Sequence, residues 1–307
     1  MQTDRKKILI TGSNGLLGQK LVKQLVAHLH FQPVATSLGV NRLQSVKNFE
    51  YHSLDITDKN AVSQLLGSVK PDVVINTAAM TNVDACEQQR EECRKLNVDA
   101  VAYLLNACEQ INAQFIHLST DFVFDGAAGP YRETDQPNPL SFYGQSKYDS
   151  EQIVLKSSYK NTAIARTIIV FGIVENMSRS NLVLWAKDAL SKKQPINVVT
   201  DQFRSPTWAD DLAKGCILIA EKKAAGIYHI SGPETHSIFD LVCQVADFYG
   251  LDKTLIKPIS SDSLNQPAKR PPLTGFILDK AKQDLGYNPL TFKEALQELD
   301  KELASQI

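Results

Sequence analysis

The chain has 307 residues, 43% of them hydrophobic, with 33 Lys and Arg against 34 Asp and Glu for a formal charge of −1. That apolar share is enough for a packed core and excludes wholesale disorder, and the even charge balance leaves no electrostatic footprint for nucleic acid or an anionic membrane. No apolar run approaches the ~20 residues that cross a bilayer.

The opening Met1–Lys7 runs directly into Ile8-Leu9-Ile10 with no leader-like apolar stretch, which predicts a cytoplasmic protein. Five scattered cysteines, Cys86, Cys93, Cys108, Cys216 and Cys243, form neither a disulfide framework nor a C-x-x-C pair. Lys7–Thr11 reads as a buried strand, and Leu17, Leu21, Leu25 and Leu29 recur on one face of the helix after it. Between them stands Thr11-Gly12-Ser13-Asn14-Gly15-Leu16-Leu17-Gly18. In a strand–turn–helix unit Gly12 allows the tight turn, Gly15 the approach of a pyrophosphate, and Gly18 close helix–strand packing. Asn14 and Leu16 complete this cofactor-binding loop. The second strand, Pro33–Thr36, leads into Ser37 and Arg42 with no carboxylate to hold a ribose 2′-hydroxyl. Ser37 and Arg42 suit a 2′-phosphate instead, so NADPH is expected as cofactor, with NADH as the alternative.

Strands follow at Tyr51–Leu54, Val73–Asn76 and Phe115–Ser119, with helices at Ala61–Val69, Cys86–Lys95 and Val98–Ile111. Their alternation implies right-handed crossovers and a parallel sheet covered on both faces. A helix at Tyr143–Lys156 and a strand at Ala163–Val170 continue the pattern, and prolines cluster after Gly172. The predicted class is α/β: a Rossmann-like doubly wound parallel sheet with a smaller C-terminal substrate-binding region. Residues 1–172, with a return segment at about 208–231, form the dinucleotide-binding domain. Residues 173–207 and 232–307 form the substrate-binding region.

Tyr143-Gly144-Gln145-Ser146-Lys147 places a phenol and an amine at i and i+4, on one helix face. A free tyrosine titrates near pH 10, and a nearby ammonium is expected to lower that value and make Tyr143 an acid–base group. Thr120, at the end of the fifth strand with Ser119 beside it, offers a hydroxyl to polarise a carbonyl. Asn97 stands where a helix begins and suits an N-cap. No His/Cys/Asp cluster has metal-ligand spacing.

The spacing G-x-x-G-x-x-G, with Thr before the first glycine, resembles the extended short-chain dehydrogenase/reductase superfamily. The resemblance implies that Asp55 and Ile56 meet the adenine, that Ala78 and Ala79 line the cofactor cleft, and that Asn97 organises the active-site backbone. More specific is Ser119-Thr120-Asp121-Phe122-Val123-Phe124-Asp125-Gly126. With Asn82-Val83-Asp84-Ala85-Cys86-Glu87, Pro130-Tyr131-Arg132-Glu133, Asp201-Gln202-Phe203-Arg204-Ser205-Pro206-Thr207, Arg270-Pro271 and Leu278-Asp279, it resembles the dTDP-4-dehydrorhamnose reductase family from Ile8 to about Leu296.

That resemblance implies hydride transfer from NAD(P)H to the 4-keto group of a dTDP-linked 6-deoxyhexose, giving dTDP-L-rhamnose. Tyr143 would donate the proton, Lys147 would bind the nicotinamide ribose, and Thr120 would hydrogen-bond the same carbonyl oxygen. Thr81, Val83, Asp121 and Phe122 would line the sugar pocket, with Arg204 at the nucleotide diphosphate and Asn181, Trp185 and Arg270 as further substrate residues. Ile169 stands where reductases of the family commonly carry Trp, and Arg204 where many carry Gly. Both features also resemble the β regulatory subunit of methionine adenosyltransferase, which shares the fold and binds NADP as a partner of another enzyme. Three readings follow: a nucleotide-sugar reductase, a related epimerase or synthase, or a non-catalytic NADP-binding subunit. The intact Thr120, Tyr143 and Lys147 set favours the first, with a small nucleotide sugar as the partner and a homodimer left open.

Overall fold

The computed structural model describes residues 5–305, so the opening Met1–Asp4 lies outside it. Seven strands form one parallel sheet: β1 (Lys6–Thr11), β2 (Phe31–Ser37), β3 (Glu50–Ser53), β4 (Val73–Asn76), β5 (Gln114–Thr120), β6 (Thr162–Thr167) and β7 (Gly226–His229). Their spatial order is β7-β6-β5-β4-β1-β2-β3. The order reverses between β1 and β4, where ligands of open α/β sheets bind beyond the strand ends. Register matters here: Thr11 lies opposite Asn76, and Asn76 opposite His117, so three polar side chains meet across adjacent strands.

Helices α1 (Leu16–Val26) and α6 (Ala209–Lys222) cover one face, and α2 (Lys59–Val69), α3 (Ala100–Ile111) and α4 (Phe142–Lys156) the other. The β-branched strand residues point alternately into these two cores, as a sheet buried on both sides requires. A third core packs α5 (Leu182–Ser191), α7 (Ile238–Tyr249) and α8 (Phe292–Ser305) around a parallel pair, Ile196–Val199 with Ile256–Ile259. Lys20 of α1, 1% exposed, ties this layer to the sheet. Its amine lies 2.8 Å from Asp210 of α6 and 2.5 Å from Glu302 of α8. Among the described residues no helix is long and apolar enough to cross a membrane.

Three expectations need correction. Helix α1 ends at Val26 and Leu29 is 79% exposed, because the chain turns back after Val26 to enter β2. The helix expected at Cys86–Lys95 is two short helices, Val83–Gln88 and Arg90–Arg94, broken at Gln89 and followed by one π turn at Lys95–Asp99. Strand β6 stops at Thr167, and Val170–Phe171 pairs with Thr207–Trp208 instead. The break has a local cause. Thr207 takes the Ile168 carbonyl with its hydroxyl at 2.7 Å, and Ile169 turns to φ +30°, a region β-branched residues rarely visit.

Candidate active site

The glycine turn is built by contact. Gly12 sits at φ +66°, and a Cβ there would lie 2.8 Å from the Ala78 amide nitrogen. A Cβ on Gly18 would lie 2.4 Å from the Gly12 carbonyl oxygen and 2.5 Å from Ser13 Cα. These neighbours are backbone and cannot swing away. Gly18→Ala is therefore expected to cost about 1–3 kcal/mol as overpacking and to weaken NADPH binding, read by thermal unfolding and a fluorescence titration. Asn14 donates to Val40 O at 2.8 Å and accepts from Arg42 N at 2.8 Å, tying the turn to the exposed loop that carries Arg42. Gly15 is exposed at the turn and Leu16 opens α1.

Ser37 ends β2, half-buried, and its carbonyl accepts from Tyr51 Oη at 3.2 Å. Asp55 folds its own loop, accepting from Thr57 N at 2.9 Å and Thr57 Oγ1 at 2.7 Å, and Ile56 beside it is buried. Ala78 and Ala79 follow β4, both half-buried, with Ala78 packed against Gly12 of the turn. Two buried hydroxyls at strand ends, Ser13 Oγ just after β1 and Ser119 Oγ near the end of β5, have no partner among the described residues. A buried hydroxyl left unpaired is costly, so the cradle and these two groups fit a dinucleotide.

Asn97 is not an N-cap. It lies buried in the π turn, accepts from Met80 N at 2.8 Å, and donates to Met80 O at 3.0 Å and Ser146 Oγ at 3.1 Å. It thus clamps the loop after β4 against α4. Ser141 caps α4 by accepting from Gly144 N at 3.2 Å, which fixes Tyr143 in the first turn and Lys147 one turn on. Phe122 meets the Tyr143 ring edge-on, centroids 5.6 Å apart. Thr120 donates to Asp121 Oδ1 at 3.0 Å and accepts from Phe122 N at 3.3 Å. Lys147 donates from Nζ to Leu118 O at 2.6 Å.

The expected lowering of the phenol pKa is reversed. Burial raises Tyr143 well above its ordinary value, and the Asp121 carboxylate nearby adds to the rise. Burial also lowers Lys147 to about 8, opposed by the Glu151 carboxylate and Cys93. At neutral pH the site therefore holds a protonated phenol beside an ammonium, which suits donation of a proton rather than its removal.

The structure brings Thr120, Tyr143, Lys147, Asp121, Phe122 and Asn97 together at the ends of β4 and β5. Other candidates are committed elsewhere. Arg204, 4% exposed and expected at a diphosphate, donates to Phe203 O and Pro271 O at 2.7 Å each and to Pro272 O at 3.2 Å, 3.7 Å from Asp121. Asp121 also accepts from Thr274 Oγ1, and burial raises its pKa. Arg270 pairs with Asp84 at 2.7 Å. Asn181 caps α5, accepting from Leu184 N at 3.2 Å and donating to Gly172 O at 2.7 Å. Trp185 is 39% exposed on α5. Val83 and Ile169 are half-buried, and Thr81 is exposed and accepts from Arg179 Nη1 at 3.3 Å. Arg179 and Thr274 were not legible in the sequence, since no spacing links either to the loops they meet.

A parallel sheet with its switch point at a glycine turn, and a phenol and amine on one helix above it, define a Rossmann-like protein of the short-chain dehydrogenase/reductase type. The model of the RmlD substrate binding domain matches residues 6–305, and the chain belongs to this family, that of the dTDP-4-dehydrorhamnose reductases. It is 34% identical over 305 residues to dTDP-4-dehydrorhamnose reductase of Aggregatibacter actinomycetemcomitans, covering 95% of this chain and 98% of that one. Methionine adenosyltransferase 2 subunit beta of Xenopus tropicalis is 34% identical over 263 residues, 84% of this chain and 76% of its own. Among solved structures, dTDP-4-dehydrorhamnose reductase of Bacillus anthracis in complex with NADP superposes with a TM-score of 0.82 at 25% identity, covering 97% of this chain and 99% of that one.

Proposed function

We propose that this protein reduces the 4-keto group of dTDP-4-dehydrorhamnose with NADPH, giving dTDP-L-rhamnose. The observation that carries the proposal is the buried, protonated Tyr143 phenol one helical turn from Lys147, with the Thr120 hydroxyl at the end of β5. NADPH, when bound, supplies the hydride. Gly12, Asn14, Gly15, Leu16 and Gly18 cradle its pyrophosphate, Ser37 and Arg42 receive its 2′-phosphate, and Asp55 and Ile56 meet its adenine. Ala78 and Ala79 border the nicotinamide side, and Lys147 holds the ribose with its ammonium.

Tyr143 gives its proton to the carbonyl oxygen. Thr120, whose hydroxyl donates to Asp121 Oδ1, turns it to the same carbonyl oxygen when substrate is bound, a second donor at the point where charge develops. Thr81, Val83, Asp121, Phe122 and Ile169 line the sugar pocket, and residues 173–207 and 232–307 supply its outer wall. Arg204 serves this wall by holding the carbonyls of Pro271 and Pro272 in place. The five free thiols fit a reducing cytoplasm.

NADPH consumption with a panel of dTDP-, GDP- and UDP-linked 4-keto sugars tests the proposal: oxidation is expected with the dTDP sugar. Ser37→Asp is expected to reverse the cofactor preference toward NADH, because a carboxylate repels the 2′-phosphate. Tighter NADH than NADPH binding by the unaltered protein would remove the role given to Ser37 and Arg42.

A second reading, an NADP-binding regulatory subunit, is favoured by the likeness to methionine adenosyltransferase 2 subunit beta and by Ile169 and Arg204. It predicts cofactor binding without turnover of any sugar in the panel.

A further inference from the structure

All seven residues of β5 are buried, so a polar side chain on that strand must find its partners inside the protein. His117 does so, 1% exposed beneath the Lys147 side chain. Its Nδ1 lies 3.2 Å from Asn76 Nδ2, and its Nε2 lies 2.9 Å from Ser150 Oγ and 3.3 Å from Lys147 Nζ.

The two ends of this chain assign its hydrogens. Thr11 Oγ1 accepts from Ala78 N at 3.4 Å and donates to Asn76 Oδ1 at 2.6 Å, which turns the Asn76 amide N–H toward His117. His117 Nδ1 is therefore an acceptor with no hydrogen. At the other end Ser150 Oγ donates to Lys147 O at 2.7 Å, so toward His117 it can only accept, and Nε2 carries the hydrogen. The imidazole is neutral. Burial and the Lys147 charge both press its pKa well below that of a free histidine.

A neutral ring with its N–H beside Lys147 cannot accept from the ammonium. Among the described residues Nζ has one acceptor, Leu118 O. The other titratable groups around it are Glu151, one turn along α4, Tyr143, one turn back and protonated across the range tested, and Cys93 of the short helix Arg90–Arg94. We propose that His117 is a positioning residue for Lys147: its ring fills the space beneath the ammonium and withholds an acceptor, so the hydrogens not given to Leu118 face the cofactor cleft. This role rests on Lys147 serving the NADPH ribose as proposed above.

The test reads NADPH affinity from pH 6 to 10 by fluorescence, with no sugar present. In the unaltered protein Kd is expected to rise through pH about 8 as Lys147 loses its proton, a step absent in Lys147→Met. His117→Asn keeps the acceptor toward Asn76 but removes the N–H beside Nζ, so water or an amide oxygen reaches the ammonium. The step is expected to move up by about one pH unit, equivalent to a tenfold change in proton affinity, with weaker binding at pH 7. His117→Gln restores an amide N–H near the Nε2 position and is expected to bring both back.

If Asn and Gln behave alike, or the step does not move, the inference is wrong. A step missing from the unaltered protein would overturn the role of Lys147 itself, which separates the two failures. Should His117→Asn not fold, Ser150→Ala removes the acceptor of Nε2–H and is expected to move the step in the same direction; an unmoved step there contradicts the inference equally.

Discussion

Tyr143→Phe is expected to lower kcat by about 10²–10⁴, the ordinary worth of a positioned general acid, while leaving NADPH affinity almost unchanged. The expectation follows from what the ring touches. Its body packs on Phe122 and beside Cys86 and Cys93, and Phe keeps those contacts. Only the hydroxyl is lost, and with it the proton that burial keeps on the phenol at neutral pH. Because that interaction matters only as charge develops on the carbonyl oxygen, kcat and kcat/KM should fall together. Near-normal turnover in Tyr143→Phe, measured by steady-state kinetics, would remove Tyr143 from the chemistry.

The largest loss of stability is expected one turn beyond Lys147. Glu151 is fully buried, and Arg166 of β6 reaches it with both edges of its fork, Nε to Oε1 at 2.8 Å and Nη2 to Oε2 at 2.6 Å. Arg166 also lies 5.0 Å from the Phe124 ring centroid and 3.5 Å from His229 Nε2. Glu151→Ala leaves that guanidinium buried without a counter-charge, a change that costs about 3–5 kcal/mol in comparable pairs. Replacing both partners, as in Glu151→Leu with Arg166→Met, is expected to recover most of the stability, because neither desolvated charge remains. Urea unfolding of the single and double variants distinguishes these cases, and a single variant within 1 kcal/mol of the parent would contradict the estimate. Glu151 also favours the charged form of Lys147, so the double variant should stay folded yet lose cofactor affinity at lower pH than the parent.

What the sequence made legible was local. The glycine turn needs only three positions within one strand–turn–helix unit, and Tyr143 and Lys147 need only the pitch of one helix. Thr120 could be placed because it ends a strand whose apolar run is visible. The features that were not legible depend on partners far along the chain. Ile169 leaves the strand because Thr207 takes the preceding carbonyl, and nothing near Ile169 encodes that. Arg204 looked free for phosphate because the carbonyls of Pro271 and Pro272 that occupy it lie more than sixty residues downstream. Asn97 looked like a cap because the loop and serine it clamps come from two other elements. The Tyr143 pKa was expected to fall because its charged neighbour is visible in sequence, whereas the burial that outweighs it is not.

The central claim is that hydride passes from NADPH to the sugar within this site. The most direct measurement uses NADPH deuterated at nicotinamide C4, on each face in turn, with dTDP-4-dehydrorhamnose. Mass spectrometry and NMR of the product should show one deuterium at hexose C4, from one of the two labelled cofactors, with one NADPH oxidised for each dTDP-L-rhamnose formed. Recovery of both unlabelled sugar and intact NADPH, with the cofactor demonstrably bound, would contradict it.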